Sequence, residues 1–439
     1  MATKGDLIQA QSFSQRRLLT AFVSGAPGGK ELEPAKPLRA VIAAIAISVA
    51  LVGVGVFWGL FQPGLPNGWE NGRLVLAKDS GARYVTVDGT LHPVLNTTSA
   101  RLLIPASSFA VIATGQHELD GVPLGSTLGI VGAPDALPAP SALVNDGWTS
   151  CVVDDRRLST RIAAAPDARA TDAAAVVSTG GRLFVVAGAT RYPVASRNSD
   201  AVLRAVGITS SAPTAAPASW TNLFAPGTTL APLDVPASTP VAGSKLKTGE
   251  VVHIAQTAED ERFLITADGE LATLSPLAWQ LYQLGDGPSV HAPTEVSAAQ
   301  VSGLPTAAEP AGGADWPTDG FTALPTDQRA CALLTHTGSQ PTTVLAAQPA
   351  SAAAAAGVHI EPGTGALVQA EAGTDSSRML TLIDATGTAF ALPGATDETV
   401  ARLGYTASED VGAVDATWTD LLPTGPALTT EAAGKTPAG

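Results

Sequence analysis

Residues 40–61 read AVIAAIAISVALVGVGVFWGLF, twenty-two residues without a charge and with Ser48 as the only polar side chain. A hydrocarbon core about 30 Å thick takes roughly 20 apolar residues to cross as a helix. The helix is obligatory there, because lipid offers no partners to backbone N–H and C=O groups. A buried core helix and a signal peptide are the rivals. Signal peptides have an apolar core of about 7–15 residues followed by a small-x-small site. Here the run is longer and ends in Phe57, Trp58, Leu60 and Phe61, then Gln62-Pro63. The aromatics fit an interfacial belt, and Pro63 stops the helix as it emerges. Arg16-Arg17 lies too far from the apolar run to act as a twin-arginine signal. The stretch is expected to stay as an anchor.

Charge orients it. Lys4, Arg16, Arg17, Lys30, Lys36 and Arg39 precede the span, whereas Arg73 and Lys78 are the first basic residues after it. Basic residues stay cytoplasmic, so residues 1–39 are expected inside and everything beyond about residue 62 outside. Within the tail, 4–23 reads as a weakly amphipathic helix with Leu7, Ile8, Leu18, Leu19 and Phe22 on one side. It suits a membrane surface or a cytoplasmic partner. The segment 24–37 (SGAPGGKELEPAKP) reads as a linker. Its Gly29-Lys30 is not a phosphate loop, since G-x-x-x-x-G-K-[ST] fails at Ser24 and Glu31.

Of 25 Lys and Arg and 39 Asp and Glu, six and three precede the span, so the body beyond it carries 17 more acids than bases. That balance argues against nucleic acid and anionic lipid as partners of the body. With 44 Gly and 33 Pro, the body is expected to be built from many short strands and ordered loops. Cys151 and Cys331 are the only cysteines, both in the part expected to be exported. An even count in an oxidising compartment favours a disulfide between them. A catalytic cysteine or a metal pair is the rival, although no Cys-x-x-Cys occurs.

Beyond the span a unit recurs four times: RYVTVDGTLHPVLNTTSARLLIP (83–105), RLFVVAGATRYPVASRNSDAVLRAVG (182–207), RFLITADGELATLSPLAWQLYQLG (262–285) and RMLTLIDATGTAFALPGATDETVARLG (378–404). Each opens on a β-branched, aromatic strand and turns at Gly89, Gly188, Gly269 or Gly387, where positive φ suits a hairpin. A second strand follows, then a helix capped at Asn96, Ser199, Ser275 or Thr396, with Pro276 in a first helical position. Gly207, Gly285 and Gly404 are expected to stop the last three helices in the left-handed conformation.

Other material separates the copies. Residues 128–153 and 314–336 carry one cysteine each and are expected to build a shared central β domain, with 357–370 as a third segment. The division is a tail (1–39), a span (40–61), repeats at 62–127, 180–240, 241–313 and 378–428, central segments at 128–179 and 314–377, and a disordered end (429–439). The fold class is α+β: one transmembrane helix and an exported body of four ββα-type repeat domains around a central β domain.

Catalytic constellations are hard to find. His92, His117, His253, His291, His336 and His359 are scattered without metal-ligand spacing. There is no G-x-S-x-G elbow. Asp154-Asp155-Arg156-Arg157 fits an exposed charge run better than a paired-carboxylate centre. No catalytic, cofactor-binding or metal residue is assigned, and no cofactor is expected.

The chain resembles the EccB family, membrane components of actinobacterial type VII (ESX) secretion machines. The resemblance runs through IQAQSFSQRRLLTAFVSG (8–25), GARYVTVDGTLHPVLNTTSARLLI (81–104), PLGSTLGIVGAPDALP (123–138), WTSCVV (148–153) and RACALL (329–334). It continues in EPGTGALVQA (361–370), ARLGY (401–405) and LLPTGPALTTEAA (421–433). It implies an elongated periplasmic body, a single pass through the inner membrane and one disulfide bridging the central domain. It also implies assembly with an EccC-type ATPase, EccD, EccE and a mycosin protease, and self-association in the complex. Nucleotide hydrolysis has been proposed for the family, and this sequence offers no phosphate loop for it. The expected function is a structural subunit of the secretion complex. The alternatives are a membrane-tethered cell-wall-binding module and, third, a weak nucleotide hydrolase.

Overall fold

The structure, a computed structural model, describes residues 3–24, 37–60, 65–208, 212–235, 237–372 and 375–437. The chain divides into two units, Met1–Pro66 and Asn67–Gly439. Among its described residues the first holds two helices, Lys4–Ser24 and Pro37–Leu60. Pro37 opens the second helix, where its missing N–H has no intrahelical partner to lose. Its window Leu38–Val56 has a mean hydropathy of 2.3 and is wholly unburied, the one helix among the described residues that is long and apolar enough to cross a membrane. The linker 25–36 with Gly29-Lys30, the side chains of 57–60, and 61–64 with the stop at Pro63 lie outside the described residues.

In the second unit four sheets share one strand order, third-second-first-fourth. The first sheet shows the plan. Leu74–Ala77, Arg83–Val87 and Thr90–Pro93 form an antiparallel meander, helix Thr97–Leu103 follows, and Val111–Thr114 returns parallel to the opening strand. The second sheet repeats it with Ala174–Thr179, Arg182–Ala187, Thr190–Pro193, helix Ser199–Ala205 and Thr214–Ala215. The third uses Val251–Ile254, Arg262–Ile265, Leu271–Leu274, helix Pro276–Tyr282 and Thr294–Val296. The fourth uses Ala366–Ala372, Asp375–Ile383, Ala389–Leu392, helix Asp397–Leu403 and Gly412–Asp415. In each, the chain then touches the third strand again in parallel, at Leu91–Leu124, Thr190–Ala225, Leu271–Thr306 and Ala389–Thr424.

The ββα reading therefore captures the hairpin and helix of each unit and omits two strands. Three of the opening strands start on short apolar runs (Leu74–Ala77, 174–177 and 251–252) that are largely buried on both faces, so they lack the alternation that marks a half-exposed strand. All four turn glycines have positive φ, between 53° and 83°. The second helix is capped by Asn198, itself left-handed with no side-chain cap bond, rather than by Ser199. Gly207 and Gly404 are left-handed at φ 95° and 97°, but the third helix ends on right-handed Gln283, and Gly285 does not have positive φ.

A fifth sheet has six strands in the order Gly357–Ile360, Leu158–Ile162, Thr149–Val152, Gln328–Thr337, Gln340–Pro349, Arg169–Ala170. It gathers both cysteine-bearing segments. The stretch 357–370 is split, its start edging this sheet and its end opening the fourth. Residues 429–433 differ from the disordered end expected at 429–439, of which 438–439 lie outside the described residues. Thr429 caps a helix at Thr430–Ala433, and Ala433 and Leu428 are buried against the first and fourth sheets.

One core joins the six-stranded sheet to the second and fourth sheets through residues such as Val152, Val177, Leu345, Val368 and Ile383. A second joins the second sheet to the third through Val202, Leu203, Leu277 and Leu281. A third joins the fourth to the first through Leu102, Ile130, Val400 and Leu403. The order of packing is third, second, central, fourth, first.

Candidate functional site

The six-stranded sheet is where distant segments meet, and three buried tryptophans fix its neighbours. Trp148, just before the strand Thr149–Val152, is fully buried and donates its Nε1–H to the Val144 carbonyl at 2.8 Å. Trp220 comes from the short helix Ala218–Thr221 beyond the second sheet and donates to the Ser150 carbonyl at 2.8 Å. Trp418 comes from the matching helix Ala416–Thr419 beyond the fourth and donates to Thr343 Oγ1 at 2.8 Å. Both indoles thus enter the central layer with their polar edge satisfied, as burial of an indole requires. A buried aromatic side chain covers about 150–250 Å². At about 25 cal/mol per Å², each anchor contributes on the order of 4–6 kcal/mol before side-chain entropy.

Cys151 and Cys331 are directly opposite in register across the antiparallel pair Thr149–Val152 and Gln328–Thr337, and they are bonded. Ala168, Leu333 and Ala346 pack around the bridge.

At the junction of the first and fourth sheets, Arg402 donates from Nη1 to the Leu102 carbonyl at 2.8 Å and from Nε to Glu398 at 3.0 Å. Its guanidinium and the backbone N–H of Ala106 hold the Glu398 carboxyl below its ordinary value. Burial pushes the Tyr405 hydroxyl well above its ordinary value, and that hydroxyl donates to the Pro138 carbonyl at 2.8 Å. Burial acts to raise the Asp135 carboxyl, but the Thr97 N–H and the Arg83 guanidinium outweigh it and hold it low.

Four of the histidines, His92, His253, His336 and His359, sit in structural contacts. His92 Nδ1 meets the Ser126 carbonyl at 3.0 Å, and His359 Nε2 meets the Ala355 carbonyl at 2.8 Å. His336 lies between Asp146 at 3.1 Å and the Ala413 carbonyl at 2.8 Å. His253 lies between the Ala258 carbonyl and Glu295, both at 3.0 Å. The Ala258 carbonyl, and then the Glu295 carboxylate, hold the His253 imidazole above its ordinary value. Asp154–Arg156 is a single 3-10 turn at a hairpin tip. Among the described residues no three His, Cys, Asp or Glu are placed to hold a metal. A shallow groove on the third sheet gathers Asp234, Asp268, Glu270 and Glu309, without a lining histidine, cysteine or lysine.

Sequence reasoning missed the tryptophan anchors. Their signal is present as Ala-Ser-Trp-Thr-Asn-Leu at 218–223 and Ala-Thr-Trp-Thr-Asp-Leu at 416–421. The corresponding short helices beyond the first and third sheets, Gln116–Leu119 and Ala298–Val301, carry no tryptophan.

The family model described as "Type VII secretion system ESX-1, transport TM domain B" (EccB) matches residues 1–436. The ESX-3 secretion system ATPase EccB3 of Mycobacterium tuberculosis is 39% identical over 119 residues, 26% of this chain and 21% of that protein. The ESX-5 secretion system ATPase EccB5 of Mycobacterium marinum is 32% identical over 123 residues, 28% of this chain and 23% of that protein. The aligned segments thus span between a fifth and a quarter of these relatives. Among solved structures, a chain of an intact ESX-5 inner membrane complex matches with a TM-score of 0.68 at 20% identity, covering 100% of this chain and 96% of that one. A chain of the EccB3 dimer from the ESX-3 core complex matches with a TM-score of 0.65 at 24% identity, covering 82% and 99%. At these identities the likeness is one of fold.

Proposed function

The chain belongs to the EccB family, and from that premise we propose that it is a structural subunit of a type VII secretion membrane complex. Its helix Pro37–Leu60 is the single inner-membrane anchor, with the tail cytoplasmic and the body from Asn67 onward periplasmic. The charge bias before the span supports that orientation. The four like-ordered sheets are four repeat domains, and the six-stranded sheet is the central domain that holds them. One observation carries the scaffold reading. The central sheet is braced by a disulfide and two tryptophan anchors, a construction that spends its buried polar groups on rigidity.

A single helix leaves no polar path through lipid, so transport comes from companions: an EccC-type ATPase, EccD, EccE and a mycosin protease, together with further copies of this chain. The relatives' name includes ATPase. In this chain we assign no residue to nucleotide chemistry: His92, His253, His336 and His359 are taken up in backbone and carboxylate contacts, and among the described residues no metal-ligating cluster forms. Secretion by cells carrying single replacements tests this. Trp418→Ala should impair export, while His92→Ala or Asp154→Ala should leave it intact. Purified full-length protein that hydrolysed nucleotide, with loss on one point substitution, would overturn the reading.

A further inference from the structure

The strand that returns beside the opening strand gives each of the four like-ordered sheets an equivalent free edge, and three of these edges are closed. In the second sheet it is only Thr214–Ala215. In the third, the backbone facing outward belongs to Glu295, whose carboxylate is held by His253 at 3.0 Å. In the fourth, His336 Nε2 lies 2.8 Å from the Ala413 carbonyl and the Asn145 side chain lies against Gly412. Short edges, edge charges and covered edges are the usual protections against strand addition.

The first sheet's edge, Val111–Thr114, has none of them. The Ala110 and Thr114 carbonyls accept from the N–H groups of Leu74 and Lys78 at 3.0 and 2.9 Å. Alternation therefore turns the N–H and C=O of Val111 and Ala113 outward. Among the described residues these groups have no hydrogen-bond partner, and Val111 is 53% exposed. The run Phe109–Gly115 (FAVIATG) is uncharged.

The two ends of this edge carry opposite charges. At its start Arg73 donates to the Ser108 carbonyl, and the Arg101 guanidinium stacks 4.4 Å over the Phe109 ring. At its end Asp79 accepts from the Gln116 N–H at 2.7 Å. An antiparallel pairing of this strand with itself, centred on Ile112, sets Val111 opposite Ala113 and Phe109 opposite Gly115. It satisfies all four outward groups of each copy and brings the arginines of one beside the carboxylate of the other. A foreign peptide could fill the edge but would leave that charge pattern unused. We propose that Val111–Thr114 pairs antiparallel with the same strand of a second copy, the twofold arrangement that isologous dimers adopt. The proposal deepens the self-association proposed above and rests on it only for the existence of a dimer.

The test uses the full-length chain in mild detergent, with sedimentation across a concentration series. Val111→Lys should weaken the dimer at least tenfold, while Thr294→Lys, the same charge on the third sheet's edge, should leave it unchanged. Chains carrying Val111→Cys mixed with chains carrying Ala113→Cys should be joined by a short thiol-reactive bifunctional cross-linker, since opposite Cβ atoms lie about 4.5–5.5 Å apart, just beyond the span of a disulfide. This second readout decides the matter if Val111→Lys fails to fold. A dimer that survives Val111→Lys and gives no 111–113 cross-link would overturn the edge pairing while leaving self-association standing. A wild-type chain that stays monomeric throughout would overturn both.

Discussion

Trp418 stands edge-on to Trp148, ring centroids 6.2 Å apart at 83° between planes, although one belongs to a helix beyond the fourth sheet and the other to the entrance of the central one. The contact joins two sheets without a covalent link, and edge-to-face geometry adds about 0.5–1.5 kcal/mol to the burial itself. Trp418→Ala should destabilise the protein by about 3–5 kcal/mol, because the cavity would be lined by a core that cannot collapse around it. Trp220→Ala should cost a similar amount. Denaturant titration measures both, and a cost near that of a surface substitution would remove the anchors from the account.

The bridge between Cys151 and Cys331 closes a sequence separation of 180 residues. A loop of that length restricts the unfolded chain by roughly 5 kcal/mol on the loop-entropy model. The double variant Cys151→Ser and Cys331→Ser should therefore unfold at markedly lower denaturant. Equal midpoints for variant and parent would show that the unfolded chain is not where the bridge acts.

Two turn glycines separate backbone strain from crowding. Gly89 has φ 73° with open space around the position of a Cβ, whereas at Gly387, φ 83°, a Cβ would stand 2.6 Å from Val358 in the central sheet. Gly89→Ala should cost about 1–2 kcal/mol for the left-handed conformation alone. Gly387→Ala should add about 1–3 kcal/mol of overpacking. Thermal unfolding of the two variants gives the difference directly.

The His253 imidazole is held above its ordinary value by the Ala258 carbonyl and the Glu295 carboxylate, both of which only accept hydrogen bonds. Its charged form is thus favoured in the folded state. The contribution is complete below the ordinary imidazole value of about 6.5 and is lost as pH rises through the elevated folded value. Relative to the parent, His253→Gln should be less stable at about pH 5.5 and draw level by about pH 8.5. A constant difference across that window would contradict the assignment.

Much of this architecture is legible in the sequence, and the gaps have physical causes. Residues 40–61 stand out because no soluble helix needs so long an uncharged run. The hairpins stand out through Gly89, Gly188, Gly269 and Gly387, whose conformation few other residues adopt. The opening strands are hard to read because an interior strand such as Leu74–Ala77 is apolar on both faces. The returning strands are two to four residues long, too short to show a period. The terminal helix Thr430–Ala433 has a single turn and owes its order to the sheets it docks against. Trp220 and Trp418 were readable only by aligning the material after each repeat, where Trp-Thr recurs at matching offsets.

The central claim, that this chain is a built-in structural part of a secretion complex, is tested most directly by its company in the membrane. The tagged full-length chain, extracted in mild detergent and fractionated by size, should migrate in one large particle with an EccC-type ATPase, EccD and EccE, identified by mass spectrometry. A chain that migrates alone or with cell-wall polymer, while those subunits assemble elsewhere, would contradict the account.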